Sequence, residues 1–218
     1  MNFTFISKTA LFQGCQEKDI NQMAKRLNFK TVSYKKRDVI FRVSDIVTEI
    51  GLVLSGSVQI EHNDFFGNKS ILTIVDAGGV FAEAYACVPN EPLMIDVIAN
   101  DDCEILFINV SKLFESCSQC NSSNRLIQNL VLISAQKNLL LSKHNIHTTP
   151  KTIRGRLMSY FSEQISAQDS NKITIPFGRQ QLADYLNLDR SALSKELIKM
   201  KKDGLIEYHK NVFEIKLL

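Results

Sequence analysis

The stretch from Arg179 to Ile206 constrains the fold most, because it contains two amphipathic helical segments separated by a short break. Asp189 is placed to cap the second segment at its N-terminus, and Gly204 suits the position that follows it. Two helices that meet at a tight turn indicate a helix-turn-helix, whose second helix enters the major groove of DNA. The apolar residues at helical spacing are Leu182, Ala183, Leu186, Leu193, Leu197 and Met200.

The polar face of the second segment carries hydrogen-bond donors and positive charge, which suits a phosphate backbone and the edges of bases. We expect Lys195 and Arg190 to contact base edges, with Ser191 and Ser194 in support. The alternative interpretation is an amphipathic pair of helices from any small domain.

Two strand-like runs, Leu205–Tyr208 and Val212–Ile215, follow the second segment and predict a wing hairpin. Lys210 lies in this wing, and Arg179 lies at the start of the first segment. We expect both side chains to contact phosphates, which positions a protein on DNA without specifying sequence.

Three linked motifs begin at Arg179, Arg190 and Asp203: R-x-x-L-A-x-x-L, R-x-x-L-S-K-x-L and D-G-L-I. They resemble the DNA-binding signature of the Crp/Fnr family of bacterial transcription regulators, and the resemblance extends over almost the whole chain. It implies a homodimer that reads a palindromic operator in double-stranded DNA and works with RNA polymerase. Lys195 stands where the family commonly has Arg, and Ser191 where many members carry Glu, so we expect an unfamiliar target sequence.

The first half of the chain consists of short strand-like runs separated by Gly, Asn and Asp turns, which predicts a small barrel or roll. With its Gly78-Gly79 turn it resembles the cyclic-nucleotide-binding-like double-stranded β-roll of the same family. The predicted class is therefore α+β, with a β-roll, a long dimerisation helix and a C-terminal winged helix-turn-helix. The runs are Val39–Phe41, Ile50–Leu54, Val58–Ile60, Ile71–Val75, Ile95–Ile98 and Ile105–Ile108, after a short helical lead-in over 11–27.

Two turns of the predicted roll depart from the family pattern, because Arg37 and Ser44 stand where turn glycines are usual. Either these turns differ in shape or they use a conformation that other residues also adopt.

The resemblance also implies a sensor pocket in the roll. Nucleotide-binding members offer a Gly-Glu pair to the ribose and an Arg-Ser pair to the cyclic phosphate, and here Ala82-Glu83 and Leu93-Met94 stand at those places. A buried phosphate would lack its arginine partner, so we expect no useful affinity for cyclic AMP. Phe81, Tyr85, Leu93 and Met94, with Glu83 retained, suit an unidentified apolar or aromatic effector. Alternatively, side chains fill the pocket, or these residues are ordinary core.

Residues 122–142 read as one long helix without acidic residues, followed by a hinge over 144–150. Apolar positions at spacings of 4, 3, 4 and 3 predict a dimer seam, with one lysine inside it; the alternative is a helix that packs only on its own roll. The predicted domains are 1–120, 121–145 and 146–218. The seam residues are Leu126, Leu130, Ile133, Lys137 and Leu140.

The five cysteines have no regular spacing, which favours reduced thiols over a disulfide framework. Cys117 and Cys120 have a metal or redox spacing, but without a second pair we predict no metal site and leave their redox activity open. Cys15 is alone in the first 86 residues, so we expect no iron–sulfur cluster. Haem stays an alternative cofactor, with His62, His144, His147 or a cysteine as an axial ligand.

Charge is unevenly distributed: residues 1–120 carry a net charge of −4, 121–149 of +3 and 150–218 of +4, which favours nucleic acid as the partner of the C-terminal part. No apolar run approaches the roughly 18 residues that span a bilayer, and we expect a cytoplasmic protein without a membrane partner. Enzyme motifs such as a P-loop or G-x-S-x-G do not occur, so we expect no enzyme. The alternative function is a ligand-binding β-roll protein whose DNA-binding role is secondary or lost.

Overall fold

The computed structural model describes residues 2–63, 69–115 and 121–216. The chain divides into two units, unit 1 (Met1–Gln136) and unit 2 (Lys137–Leu218). Cys117 and Cys120 lie outside the described residues. Within those residues, no helix is long and apolar enough to cross a membrane.

Unit 1 contains two four-stranded antiparallel sheets and several short helices. The first sheet has the strand order β1-β8-β3-β6 and the second the order β2-β7-β4-β5. In chain order the elements are α1 (Phe3–Ile6), a 3-10 turn (Ala10–Phe12), α2 (Glu17–Arg26), β1 (Lys30–Tyr34), β2 (Val39–Phe41), β3 (Glu49–Ser55), β4 (Ser57–Asn63), β5 (Lys69–Asp76), β6 (Val80–Phe81), α3 (Glu83–Ala86), β7 (Asp96–Ala99), β8 (Cys103–Asn109), α4 (Val110–Glu115) and the first part of α5 (Asn121–Thr148).

Two hydrophobic clusters hold unit 1 together. One contains apolar side chains from both sheets, including Val53, Val58 and Val97. The other packs the N-terminal helices against β3, β8 and α5, where Leu126 and Leu130 are buried. Apolar side chains thus lie in the interior of the predicted roll and on one of its outer faces.

The predicted strands are all present, while two further strands and the shape of the lead-in differ from expectation. β1 has no fully buried residue and β6 has two residues, so neither has the apolar pattern that marks a strand. The lead-in over 11–27 divides into the 3-10 turn and α2 because Gly14 between them has a left-handed φ of 80°.

Unit 2 contains the second part of α5 and a small domain of helices with a three-stranded sheet in the order β10-β11-β9. Its core includes apolar residues from every helix of the small domain, such as Phe161, Leu182 and Leu197. The elements are α6 (Ile153–Gln168), β9 (Lys172–Thr174), α7 (Arg179–Tyr185), α8 (Arg190–Lys202), β10 (Ile206–His209) and β11 (Val212–Ile215).

The predicted hinge over 144–150 is wrong in its first part, because α5 continues to Thr148. The Thr148 hydroxyl donates to the carbonyl oxygen of His144 (2.9 Å), and the amide of Thr149 donates to Asn145 (2.9 Å). The break in the helix is confined to 149–152. The predicted α+β class, with a β-roll, a long helix and a C-terminal winged helix-turn-helix, is confirmed.

Candidate nucleic-acid interface

The turn between α7 and α8 is fixed by backbone geometry and by a helix cap. Asn187 has a left-handed φ of 51°, which asparagine tolerates better than most residues. The Asp189 carboxylate accepts hydrogen bonds from the Ala192 amide (2.9 Å) and the Ser191 hydroxyl (2.5 Å). The bonds from Ser191 and Ala192 lower the pKa of Asp189. The carboxylate therefore stays charged at the positive end of the helix dipole, which stabilises the start of α8.

Helix α8 buries one face and exposes the other. Leu193, Leu197 and Met200 lie in the core of unit 2 at 1% exposure or less. The four predicted base-contact residues lie outside this buried stripe: Arg190, Ser191 and Lys195 are exposed, and Ser194 is partly buried. The structure thus places them on the part of α8 that is not in the core, although the Ser191 hydroxyl is already bonded to Asp189.

Ile198 adds an apolar side chain to this exposed face. It was not among the residues predicted to contact DNA. It lies three residues after Lys195 and seven after Ser191, so it shares their side of the helix, and it is 51% exposed. An apolar group in the major groove contacts the methyl group of thymine. The signal in the sequence was an isoleucine on the polar side of a helix whose other side carries a regular apolar stripe.

Arg179 has a different environment from the one predicted for a free phosphate ligand. Its guanidinium group lies over the rings of Phe213 (4.9 Å) and Tyr208 (5.1 Å) and donates to the carbonyl oxygen of Lys210 (2.9 Å). Burial lowers the pKa of this group. Arg179 thereby joins α7 to the β10–β11 hairpin, which is the predicted wing.

Lys210 lies in the hairpin turn, with an exposed side chain and a left-handed φ of 52°. Its backbone carbonyl is held by Arg179, so its side chain projects from a fixed turn. The predicted position of Lys210 in the wing agrees with the hairpin, while its contact with phosphate stays a prediction.

Two further arginines, Arg154 and Arg156, hold the helix-turn-helix in place, and the sequence pattern did not indicate this role for either of them. Arg154 of α6 donates to Glu196 (2.6 Å) and Asp203 (2.7 Å), and these bonds raise its pKa. Arg156 donates to the carbonyl oxygens of Leu186 (2.9 Å) and Asn187 (3.0 Å), inside the turn itself. Arg156 also donates to the carbonyl of Pro150 (2.9 Å). Apart from Pro150, these partners lie 30 or more residues away in sequence, so no local pattern reveals them.

The predicted effector-pocket residues do not share one environment. Phe81, Leu93 and Glu83 are buried, Tyr85 is partly buried and Met94 is 64% exposed. Leu93 packs in the core between the two sheets, so the place of the phosphate-binding Arg-Ser pair has one apolar residue in the core and one in solvent.

An aromatic cluster lies in the core between the two sheets. The Phe81 ring lies 6.1 Å from Phe41 and 6.5 Å from Phe107, and Phe107 also contacts Tyr34 (6.5 Å). A methyl group at Gly51 would collide with the ring of Phe81. The absence of a side chain at position 51 therefore provides the space that this ring occupies.

Arg37 (φ 75°), Ser44 (φ 73°) and Ala82 (φ 61°) have a left-handed conformation, which is less usual for these residue types than for the asparagines of unit 1 that share it, Asn28 and Asn90. The amides of Arg37 and Ser44 donate to the carbonyl oxygens of Ala99 (2.7 Å) and Leu93 (2.8 Å). Of the two options for Arg37 and Ser44, the structure therefore supports a glycine-like turn conformation adopted by other residues.

The residues considered as cofactor ligands are dispersed. Cys15 and Cys103 are buried, and Cys87 is exposed. His62 is exposed on β4, whereas His144 and His147 form hydrogen bonds inside unit 2. Among the described residues, no group of three or more His, Cys, Asp or Glu could hold a metal ion.

Comparison with known proteins agrees with this architecture. The model of a cyclic nucleotide-binding domain matches residues 31–120, and the model of a Crp-like helix-turn-helix domain matches residues 155–218. The cyclic nucleotide-gated channel beta-1 of Bos taurus is 36% identical to this chain over 83 residues, which are 38% of this chain and 6% of the channel. The same channel of Homo sapiens matches to the same extent, so the chain spans only a small part of the length of these curated relatives.

Solved structures share the fold at low sequence identity. The catabolite activator protein of Thermus thermophilus is 18% identical, with a TM-score of 0.51 over 95% of this chain and 94% of that chain. The c-di-GMP responsive global regulator CLP of Xanthomonas campestris is 16% identical, with a TM-score of 0.55 over 93% and 100%.

The two family models together cover more than two thirds of the chain. The first matches the β-roll and the second the winged helix-turn-helix, and the long helix α5 lies between them in the chain. This architecture is that of a DNA-binding transcription regulator with a cyclic-nucleotide-binding-like domain. The prediction that the chain is no enzyme is confirmed by the family to which both domains point. The chain belongs to the Crp/Fnr family of transcription regulators.

Proposed function

We propose that the chain acts as a homodimer that recognises a palindromic operator in double-stranded DNA. The observation that carries this proposal is the exposed face of α8, where Arg190, Ser194 and Lys195 are presented by a helix capped through Asp189. Two such helices in successive major grooves read half-sites about one helical turn apart. Lys210 at the tip of the wing contacts the phosphate backbone beside each half-site.

The experiment is selection of duplexes from a random library, each long enough for two half-sites, followed by affinity measurement on the selected sequence. A palindromic consensus bound far more tightly than a scrambled duplex supports the proposal. Failure to enrich any sequence would favour the alternative, a ligand-binding β-roll protein that has lost DNA binding.

The dimer seam lies on α5, but at positions other than the two most N-terminal ones predicted. Leu126 (0% exposed) and Leu130 (3%) pack in the core of unit 1, so they are not available to a second chain. Ile133 also packs against that core, and Lys137 is only partly exposed. Over 126–133 the predicted stripe is therefore the face that α5 turns to its own roll, in line with the alternative interpretation.

A second heptad stripe on α5 supports the dimer. Leu132, Leu139 and Ile146 recur every seven residues and are 59%, 62% and 60% exposed. With Ala135 between the first two, the stripe has the 3-and-4 spacing of a coiled-coil seam. Leu140, the last predicted seam residue, is 67% exposed and flanks this stripe.

The β-roll receives a small-molecule or redox signal other than cyclic AMP. Leu93 and Met94 offer a phosphate no charge, and the ring of Phe81 is surrounded by the rings of Phe41 and Phe107 rather than by polar groups. Calorimetric titration with cyclic AMP tests this, with micromolar binding as the contradicting result. Native mass spectrometry beside a denatured sample would reveal a co-purifying effector, haem included.

The same function assigns the protein to the cytoplasm and gives it RNA polymerase as a further partner. Transcription in vitro from a promoter that carries the selected operator tests the second assignment. A change in transcript level that depends on the operator supports it, and an unchanged level contradicts it.

A further inference from the structure

A buried histidine lies at the end of α5, where this helix meets the DNA-binding domain within unit 2. His147 is 2% exposed, and both of its ring nitrogens have partners. Nε2 lies 3.0 Å from a carboxylate oxygen of Glu163 in α6, and Nδ1 lies 2.9 Å from the hydroxyl of Tyr185. Tyr185 is the last residue of α7, the first helix of the helix-turn-helix. His147 therefore connects three helices through one imidazole ring.

The surrounding groups complete this connection. His144 Nε2 donates to the backbone carbonyl of Tyr185 (2.8 Å), and Lys143 Nζ lies 2.7 Å from the second oxygen of Glu163. The ring of Tyr160 stands at 89° to that of His147, 5.4 Å away, and burial raises the pKa of Tyr160 to about 12. The titratable groups that face His147 are Lys143 and His144 of α5, Tyr160 and Glu163 of α6, and Tyr185 of α7.

The network suits a neutral imidazole. In that form Nε2–H donates to the Glu163 carboxylate, while Nδ1 accepts from the Tyr185 hydroxyl. An added proton binds Nδ1, so the Tyr185 hydroxyl has to turn its own hydrogen away and become the acceptor. The imidazolium ion must then be accommodated at a site that excludes water, which is costly.

Burial lowers the pKa of His147, and the charges of His144 and Lys143 act in the same direction, whereas Glu163 opposes them. A histidine with a lowered pKa binds its proton more readily when it is exposed than when it is packed. The packed arrangement is thus fully stable above the ordinary histidine pKa of 6.5 and loses stability as the pH falls below that value.

We propose that neutral His147 positions α7 for DNA binding and that protonation of His147 weakens this binding. This inference rests on the proposed DNA-binding function, with DNA selecting the arrangement in which Tyr185 is held by His147. His147 is a positioning residue, since it acts on the interface through α7 rather than by touching DNA.

The test measures the dissociation constant for the duplex selected at about pH 7.5 while the pH is lowered to about 5.5 at constant salt, across the histidine pKa. We expect the affinity of the wild-type dimer to fall on the order of threefold or more. H147Q retains a donor and an acceptor, and we expect its affinity to be independent of pH over this range. H209Q is the matched control because His209 is an exposed histidine at the end of β10, and we expect this variant to keep the pH profile of the wild type.

Two measurements keep the outcome decisive. Circular dichroism establishes that each variant is folded. The Glu163 carboxylate raises the pKa of His147 against the effect of burial, so E163Q should move the midpoint of the pH profile to lower pH. NMR titration of the His147 ring in the wild-type protein should give the same midpoint without DNA. Identical pH profiles for wild type and folded H147Q would overturn the inference while leaving DNA binding at pH 7.5 intact. Absence of binding at pH 7.5 would instead contradict the proposed function.

Discussion

The guanidinium group of Arg179 lies 4.9 Å from the centre of the Phe213 ring and donates a hydrogen bond to the Lys210 carbonyl oxygen. This pair of contacts joins the first helix of the helix-turn-helix to the wing. The conformation of the wing therefore depends on a residue at the opposite end of the DNA-binding motif in sequence.

Replacing Arg179 with lysine should loosen the wing, because lysine keeps the charge but lacks the planar group that stacks and donates in a fixed direction. We expect a loss of about 1–2 kcal/mol in the free energy of unfolding of unit 2, from the cation–π contacts and the hydrogen bond. Thermal denaturation measures it. K210R is the control, since it changes the neighbouring cation without removing the contact. Unchanged stability with weaker DNA binding in R179K would favour a direct phosphate contact instead.

Replacing Lys195 with alanine should cost about 1–3 kcal/mol of DNA affinity and relax specificity at one base position. The reason is that Lys195 is exposed on α8 and, in the proposed assignment, donates to the edge of a guanine. Selection from the random library with each protein gives both quantities. K18A removes an equal charge from exposed α2 and should leave the consensus unchanged. If K195A keeps both affinity and consensus, the base-contact assignment is wrong.

Replacing Leu139 with aspartate should convert the dimer to a monomer at micromolar concentration, because it places a charge in the proposed seam of α5. Sedimentation equilibrium measures the mass. L141D is the matched control: Leu141 is 65% exposed but lies nearly opposite Leu139 around the helix. A dimer that survives L139D and dissociates in L141D would place the seam on the other side of α5.

Replacing Ala82 with glycine should stabilise unit 1. The left-handed conformation costs a residue with a Cβ about 1–2 kcal/mol, and the greater entropy of glycine in the unfolded chain offsets part of the gain, so about 0.5–1 kcal/mol remains. Urea denaturation measures the change. A84G is the control, because Ala84 is exposed in α3. Glycine at this helical position should lower the stability of unit 1 by about as much as A82G raises it. Equal destabilisation by both variants would show that Ala82 is not strained.

The helix-turn-helix could be predicted from sequence because each of its signals is local. Asp189 caps α8 as expected, and Gly204 follows the helix with a left-handed φ of 76°. The apolar stripe of α8 is buried as predicted. Caps, stops and stripes depend on residues a few positions apart, and no distant partner is needed to recognise them.

Other features depend on partners that the sequence does not reveal. Helix α5 has two apolar stripes with similar spacing, and only the fold shows that Leu130 faces the roll while Leu132 faces outward. His144 and His147 resemble the polar end of a helix until Tyr185, some forty residues away, provides their partner. Arg179 has the appearance of a free cation for the same reason.

The ring of Phe81 over Gly51 also restricts how such a regulator can change over evolutionary time. As long as position 81 is aromatic, position 51 accepts only glycine, since any larger residue collides with the ring. A hollow sensor can arise from this filled one only if the ring is lost first, which leaves an empty space that costs roughly 3–5 kcal/mol. Descendants that bind a new compound in the roll would therefore pass through an intermediate of low stability, unless a compound of matching size was already present to occupy the vacated volume.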